Sequence, residues 1–248
     1  MALDGFGVAV GKPRLQRDGV VNPNAYWNRK EMFALVCQVG CDANCRFLHL
    51  FERNAGSSHD SSCWKKDPLR LVLETAERQG LNLADYPNHR IYILGDAAYG
   101  ANELLLVPFK GKNLSLERDA YNFYQSSQRI HIERAFGILT ARWGVLWRPL
   151  VCSLEHAMQT VRCCMVLNNI CTKRFTSYGS SAAVGAGVGA LPGDRDGIDG
   201  KDDAVHYQND CSTMPAEPVT RGSQARDDMV RSIRAAGLKR PKRSTYRS

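Results

Sequence analysis

The alternation of apolar and polar positions outlines the first third of the chain. Leu3 to Val10 alternates around small residues and reads as a short strand, which Gly11-Lys12-Pro13 ends because proline offers no donor to a central ladder. Asp18 to Asn28 is polar, contains Pro23 and reads as a loop. Glu31 to Cys41 (EMFALVCQVGC) predicts a second strand, Asp42-Ala43-Asn44 a turn, and the alternating Arg46 to Glu52 a returning strand. The opening is therefore expected to be a three-stranded antiparallel meander.

Helical spacing enters further on. Asn54 to Ser62 reads as a loop, and Pro68 to Gln79 as a helix with Leu69, Val72, Leu73 and Ala76 on one face. A polar approach, Tyr86 to Arg90, leads into Ile91 to Leu94 (IYIL), the most strand-like run in the chain, which ends at once in Gly95-Asp96. Ala101 to Leu106 reads as a short helical turn and Val107-Pro108-Phe109 as extended. From about Glu117 to Trp147 a long helix is predicted, because Ile132, Phe136, Leu139, Trp143 and Leu146 follow steps of 4, 3, 4 and 3. A packing helix follows from about Leu154 to Thr172. Strands interrupted by helices predict an α/β fold with a mixed sheet.

The periodicity then stops. Ser177 to Gln208 is rich in Gly, Ala, Ser and Asp and has little large apolar surface to offset the entropy of ordering. The expected organisation is a folded domain over 1–176, a linker over 177–223 and a basic tail over 224–248, with a short helix from about Arg226 to Ala236. Arg221 to Ser248 holds nine Lys/Arg against Asp227 and Asp228, a balance of +7 out of a whole-chain charge of +8. The folded part is thus close to neutral, so a surface for a polyanion would have to be a local patch, and the LKRPKR run suits phosphate contact or nuclear import.

Composition excludes some classes. With 248 residues and 44% hydrophobic residues the chain can bury one sizeable core. It has no apolar run of 18 residues, so no helical membrane span is expected, and its N-terminus does not read as a secretory signal. Nine cysteines without a CxxC pair read as thiols in a reducing compartment. Cys37, Cys41 and Cys45 would be too spread along a strand, about 13 Å per four residues, for one zinc site.

Three carboxylates stand out by position. Asp4 is in the first strand, Asp96 ends the IYIL strand, and Glu133 lies one position off the apolar stripe of the long helix. Two divalent ions about 3.5–4 Å apart need several carboxylate oxygens and an open face for a phosphate. Two aspartates on adjacent strands are short rigid arms, and a glutamate on a helix can reach in from the side. Spacing alone leaves surface or salt-bridged acids as the plainer reading.

A resemblance changes that balance. MALDGFGVAV, YWNRKEMFALVCQVGCDANCRFLHL, AGSSHDSS, YILGDAAYG and IHIERAFGILTARWGVLW occur in the order and at the distances of the catalytic domain of Harbinger/PIF-type transposases, over roughly Leu3 to Lys173. The resemblance implies an RNase H-like fold, with antiparallel first strands in a mixed sheet flanked by helices. It also implies a DDE triad in which Asp4, Asp96 and Glu133 are catalytic and hold Mg²⁺ or Mn²⁺, two ions, for cleavage and transfer of DNA strands. His59 and Asp60, in the family's GS-x-HD block, fall in an accessory loop. Lys12, Arg29, Lys30, Lys110, Lys112, Arg129 and Arg134 are candidates for phosphate contact. The implied setting is the nucleus, with DNA as partner, a separate DNA-binding accessory protein, a homo-oligomer and no membrane. The competing expectation is a catalytically silent DNA-binding or protein-interaction module. Departures from the family pattern are Phe6-Gly7 in place of Thr-His, Ala98 and Gly100 in GDAAYG, and Ala55 in place of Pro. The chain begins three residues before Asp4, so the family's usual N-terminal helical region is expected to be missing.

Overall fold

The computed structural model describes residues 1–78, 92–100, 102–177 and 221–241. Tyr86 to Arg90, Ile91, Ala101, Cys211, 178–220 and the end of the basic run from Lys242 lie outside the described residues.

The meander forms as expected. Strands β1 (Ala2–Ala9), β2 (Ala34–Cys41) and β3 (Phe47–Ala55) pair antiparallel in chain order. The turn between β2 and β3 closes on Asp42, whose Oδ1 accepts the N–H groups of Asn44 and Arg46 at 2.9 Å each, while Cys45 takes the left-handed φ of 58°. The return strand runs three residues beyond the expected Glu52, so Asn54 and Ala55 extend the ladder instead of opening a loop.

The sheet order is β3-β2-β1-β4-β5, with β4 (Ile93–Leu94) and β5 (Leu105–Leu106) added in parallel to β1. The mixed sheet with antiparallel first strands and flanking helices is that of an RNase H-like fold. Leu105 and Leu106, expected in a helical turn, form a strand: both are buried and pair with Ile93 and Leu94, so tertiary pairing overrides local helix propensity.

Helices close both faces. On one side, α4 (Leu116–Arg142) and α5 (Leu154–Ser177) cover Phe6 and Val8 of β1. Ser115 caps α4 by accepting the Arg118 N–H at 3.3 Å, and Glu117 and Asp119 suit the positive end of its dipole. The helix ends at Arg142, and Gly144–Trp147 forms a 3₁₀ turn where the spacing had predicted continuous helix. Ile132, Ala135 and Leu139 are fully buried, and Phe136 lies 4.8 Å from the Phe6 ring. Each large aliphatic chain buried in this way stabilises the fold by roughly 1.5–3 kcal/mol.

On the opposite face lie α2 (Asp60–Lys66) and α3 (Pro68–Arg78), preceded in the chain by the single-turn α1 (Leu15–Asp18). Trp64 packs with Leu3, Ile93 and Tyr99 in a second cluster. Helix α2 replaces the end of the loop expected over 54–62. The segment read as a basic tail carries α6 (Arg221–Ala235), which starts inside the expected linker. Its Val230, Met229 and Ile233 close over Phe109 and Tyr121, and buried Arg226 stacks 4.4 Å from the Phe109 ring. This part of the chain contributes to the domain's core.

Candidate active site

The parallel register of β1 and β4 sets the site. Ala2 pairs with Leu94, so Asp4 and Asp96 stand two residues past the paired positions, at one level of neighbouring chain segments. The paired positions stand about 4.8 Å apart, as adjacent strands do, and the Asp96 charge acts on Asp4. The two acids lie where β4 ends and β1 continues between a parallel and an antiparallel neighbour, the kind of switch point at which α/β sheets open a crevice.

Backbone groups fix both aspartates. Asp4 Oδ1 accepts the Gly5 N–H at 2.8 Å. Asp96 Oδ1 accepts the Ala98 N–H at 2.8 Å, an Asx turn that shapes the GDAAY segment. From α4, Gln125 Nε2 donates to the carbonyls of Gly95 (2.7 Å) and Leu106 (3.2 Å), tying the helix to the strand that delivers Asp96.

Arg129 joins the remaining pair. Its Nη1 donates to Asp4 Oδ2 at 3.1 Å and its Nη2 lies 2.7 Å from Glu133 Oε1. Asp4 and Arg129 are largely buried, whereas the Glu133 side chain is 53% exposed. Asp4 is pushed up to about 6 from the ordinary carboxylate value, first by burial and then by the charges of Asp96 and Asp60, against the Gly5 N–H and Arg129, which hold it down.

Two loops complete the surroundings. A Cβ on Gly56 would meet the carbonyl oxygen of Tyr26 and, at 2.8 Å, that of Ala34, so the GSSHD loop closes directly on the Y-x-NRK segment. Ser57 N–H donates to Ala25 O at 3.0 Å across the same junction. Asp60 starts α2 beside this junction. Burial and the Asp96 charge raise its carboxyl, with Arg29 and His59 acting in the opposite sense. Tyr99 is buried and donates its hydroxyl to Gln38 Oε1 at 2.9 Å. Its acidity is strongly suppressed by burial and by the charges of Asp60, Asp4 and Asp96.

The residues 3–169 match the family described as DDE superfamily endonuclease. The chain belongs to that family. It is the Harbinger/PIF-type transposase domain that the motifs resemble, and the matched span ends four residues short of Lys173. No curated protein and no solved structure matches the chain.

Within this domain Arg129 ties Asp4 to Glu133, the charges of Asp96 and Asp60 act on Asp4, and those of Asp96, Arg29 and His59 act on Asp60. Of the other candidate cations, three are placed by their neighbours. Val10 is six residues along the chain from Asp4, about 20 Å by strand rise, and Lys12 lies beyond it over the Phe33 ring. Arg134 acts on Cys45 at the β2–β3 turn. Lys30 and Lys110 are exposed, and Lys112 borders an open pocket of about 580 Å³ with Asp119, Phe123 and Arg240.

Among the described residues no three His, Cys, Asp or Glu stand close enough together to hold a metal ion. The donor chemistry nevertheless fits a hard cation, since Asp4, Asp96, Asp60 and Glu133 offer only carboxylate oxygens. The Arg129 guanidinium supplies positive charge between Asp4 and Glu133 in this arrangement. Gln38 and Gln125 were not singled out from sequence. Gln38 had a legible signal, a lone polar residue inside the apolar run LVCQVGC; Gln125 had none.

Proposed function

We propose that this domain cleaves and transfers DNA strands with Mg²⁺ or Mn²⁺, two ions, held by Asp4, Asp96 and Glu133. The observation that carries the reading is the β1–β4 register, which sets Asp4 level with Asp96 while Arg129 links Asp4 to Glu133. Bound divalent ions would supply activation of the attacking oxygen and stabilisation of the leaving oxygen. The chain's own residues do the positioning. Asp4 and Asp96 are anchored by backbone N–H groups, so their orientation is fixed before any ligand arrives. Arg129, released from Asp4, is placed to meet a phosphate oxygen. In this reading water first opens a phosphodiester bond and leaves a 3′-hydroxyl, and that hydroxyl then attacks a second phosphodiester in line.

DNA is the proposed partner, with sequence recognition supplied by a separate DNA-binding protein, action as a homo-oligomer and a nuclear setting suited to the LKRPKR run. No described helix is long and apolar enough to cross a membrane. A silent binding module is the second reading, favoured by the double pairing of Arg129, which neutralises the acids without a metal.

The test is nicking of supercoiled plasmid by the full chain with Mg²⁺ or Mn²⁺. Nicking that chelator and Asp96→Asn each abolish supports the enzyme. Plasmid binding without nicking, unchanged by chelator and by Asp96→Asn, supports the silent module.

A further inference from the structure

The backbone alone does little to hold Asp96 in register. Strand β4 is two residues long and pairs with β1 at one position, Ala2 with Leu94, so Asp96 stands beyond the end of its own ladder. The last backbone ties come before it: Leu94 N–H donates to Met1 O at 2.9 Å and Gly95 N–H to Leu106 O at 3.1 Å. From the α4 face, Gln125 Nε2 reaches the Gly95 carbonyl. That tie leaves the opposite face of the segment to be held by something else.

Tyr99 holds it there. Its N–H closes the turn on Asp96 O at 3.4 Å, and its ring packs with Leu3, Trp64 and Ile93 on the α2 side of the sheet. Its hydroxyl donates to Gln38 Oε1 at 2.9 Å. Strand β1 lies between β4 and β2 in the sheet order. This one hydrogen bond therefore joins the segment after β4 to β2 across the width of β1, two strand spacings or about 10 Å. Gln38 is the register partner of Gly5, the residue next to Asp4. Alternation along β1 turns Asp4 toward Arg129 of α4 and puts Leu3 and Gly5 on the Tyr99 side. Residue 5 has no side chain, and a Cβ there would stand 3.8 Å from Gln38 Nε2, so the bond passes beneath the strand that carries Asp4.

The pair is polar where packing alone would favour an apolar residue. Gln38 is wholly buried between Cys37 and Val39, and Tyr99 is buried as well. The Gln38 Nε2 has no hydrogen-bond partner among the described residues, which costs stability. What the polar pair adds is direction. The hydrogen bond fixes the Tyr99 ring and, through a turn of three residues, the Asp96 carboxylate.

We infer that Tyr99 and Gln38 are positioning residues for the acid pair: their hydrogen bond crosses beneath β1 and clamps the GDAAY turn, holding Asp96 level with Asp4 from the face opposite Gln125. The inference rests on the metal-dependent reading above. Both residues act through Asp96.

The experiment compares three variants of the full chain, Tyr99→Phe, Gln38→Met and the double variant, by Mn²⁺-dependent nicking of supercoiled plasmid, thermal unfolding and amide hydrogen exchange. Tyr99→Phe leaves the buried Gln38 amide with no partner for its oxygen and is expected to lower the melting temperature. The double variant replaces both partners by apolar groups, so its melting temperature is expected to return toward that of the wild type. Its nicking rate at saturating Mn²⁺ is nevertheless expected to stay down by about tenfold or more, because a misplaced acid is not restored by a stable core. In the metal-free double variant the Gly95 and Tyr99 amides are expected to exchange about tenfold faster or more, with the β1–β2 ladder unchanged. A double variant that regains stability and nicks within about twofold of the wild type, with exchange at Gly95 and Tyr99 unaltered, overturns the positioning role and leaves the metal reading standing. A folded wild type that nicks with neither Mg²⁺ nor Mn²⁺ overturns both.

Discussion

Replacing Asp4 by Asn should stabilise the metal-free protein. The Asp4 carboxyl sits at about 6 in the folded chain against an ordinary value of 3.8, a gap of about two pH units. At roughly 1.4 kcal/mol per unit, the folded state gives up about 3 kcal/mol to keep this acid ionised. The sign follows from the folded value lying above the unfolded one. The native state binds the proton more tightly, so stability is greatest below about 3.8 and is lost as pH rises through about 6. Asparagine removes the ionisation and keeps one oxygen for the Gly5 N–H, while its amide NH2 replaces the oxygen that Arg129 meets and leaves Arg129 to Glu133. Urea unfolding in EDTA should show the variant more stable by 1–3 kcal/mol, as an order of magnitude, at pH 7.5. The difference should shrink to about 1 kcal/mol at pH 4.5 and vanish near pH 3. A variant less stable than the wild type at pH 7.5, or an advantage that does not change with pH, would refute the reasoning.

Other consequences follow from packing. Gly56→Ala should cost about 1–3 kcal/mol in urea unfolding, since its methyl meets the carbonyls of Tyr26 and Ala34, and a melting temperature equal to wild type would show that the two loops yield freely. Ile132→Ala empties a fully buried position between α4 and β1 and should lower stability by about 2–5 kcal/mol in the same assay. Deleting residues from Arg221 onward should destabilise the domain by roughly 2–4 kcal/mol, because Val230 and its neighbours leave Phe109 and Tyr121 uncovered; unchanged unfolding would show that α6 is dispensable.

The part of the fold carried by local pattern was legible. The alternation from Leu3 to Glu52 gave the meander, and the 4-3-4-3 stripe gave α4, because each signal is a repeat of one face. What failed was settled by contacts distant in sequence. Leu105 and Leu106 are strand because Ile93 and Leu94 pair with them, and Asp60 to Lys66 is helix because Trp64 and Cys63 are buried against the sheet. In the tail, the charge of Arg226 and Arg234 obscured the Met229, Val230 and Ile233 face that packs on Phe109 and Tyr121.

The site divides in the same way. The three acids could be named from motifs, but Arg129 was read only as a phosphate contact, and its pairing with both Asp4 and Glu133 depends on how α4 crosses β1. Lys12 and Arg134 carry suitable charge in the sequence, yet β1's length sets Lys12 beyond Val10, and Arg134 acts on Cys45 at the β2–β3 turn. Charge type is visible in one dimension, whereas the direction in which a side chain leaves its helix or strand is set by packing.

The most direct measurement is an anomalous difference map from crystals of the full chain grown with Mn²⁺. The account predicts a manganese peak bonded to both Asp4 and Asp96, with the Arg129 guanidinium moved off Asp4. Manganese bound only at other places, with Arg129 still clasping Asp4 and Glu133, would contradict it.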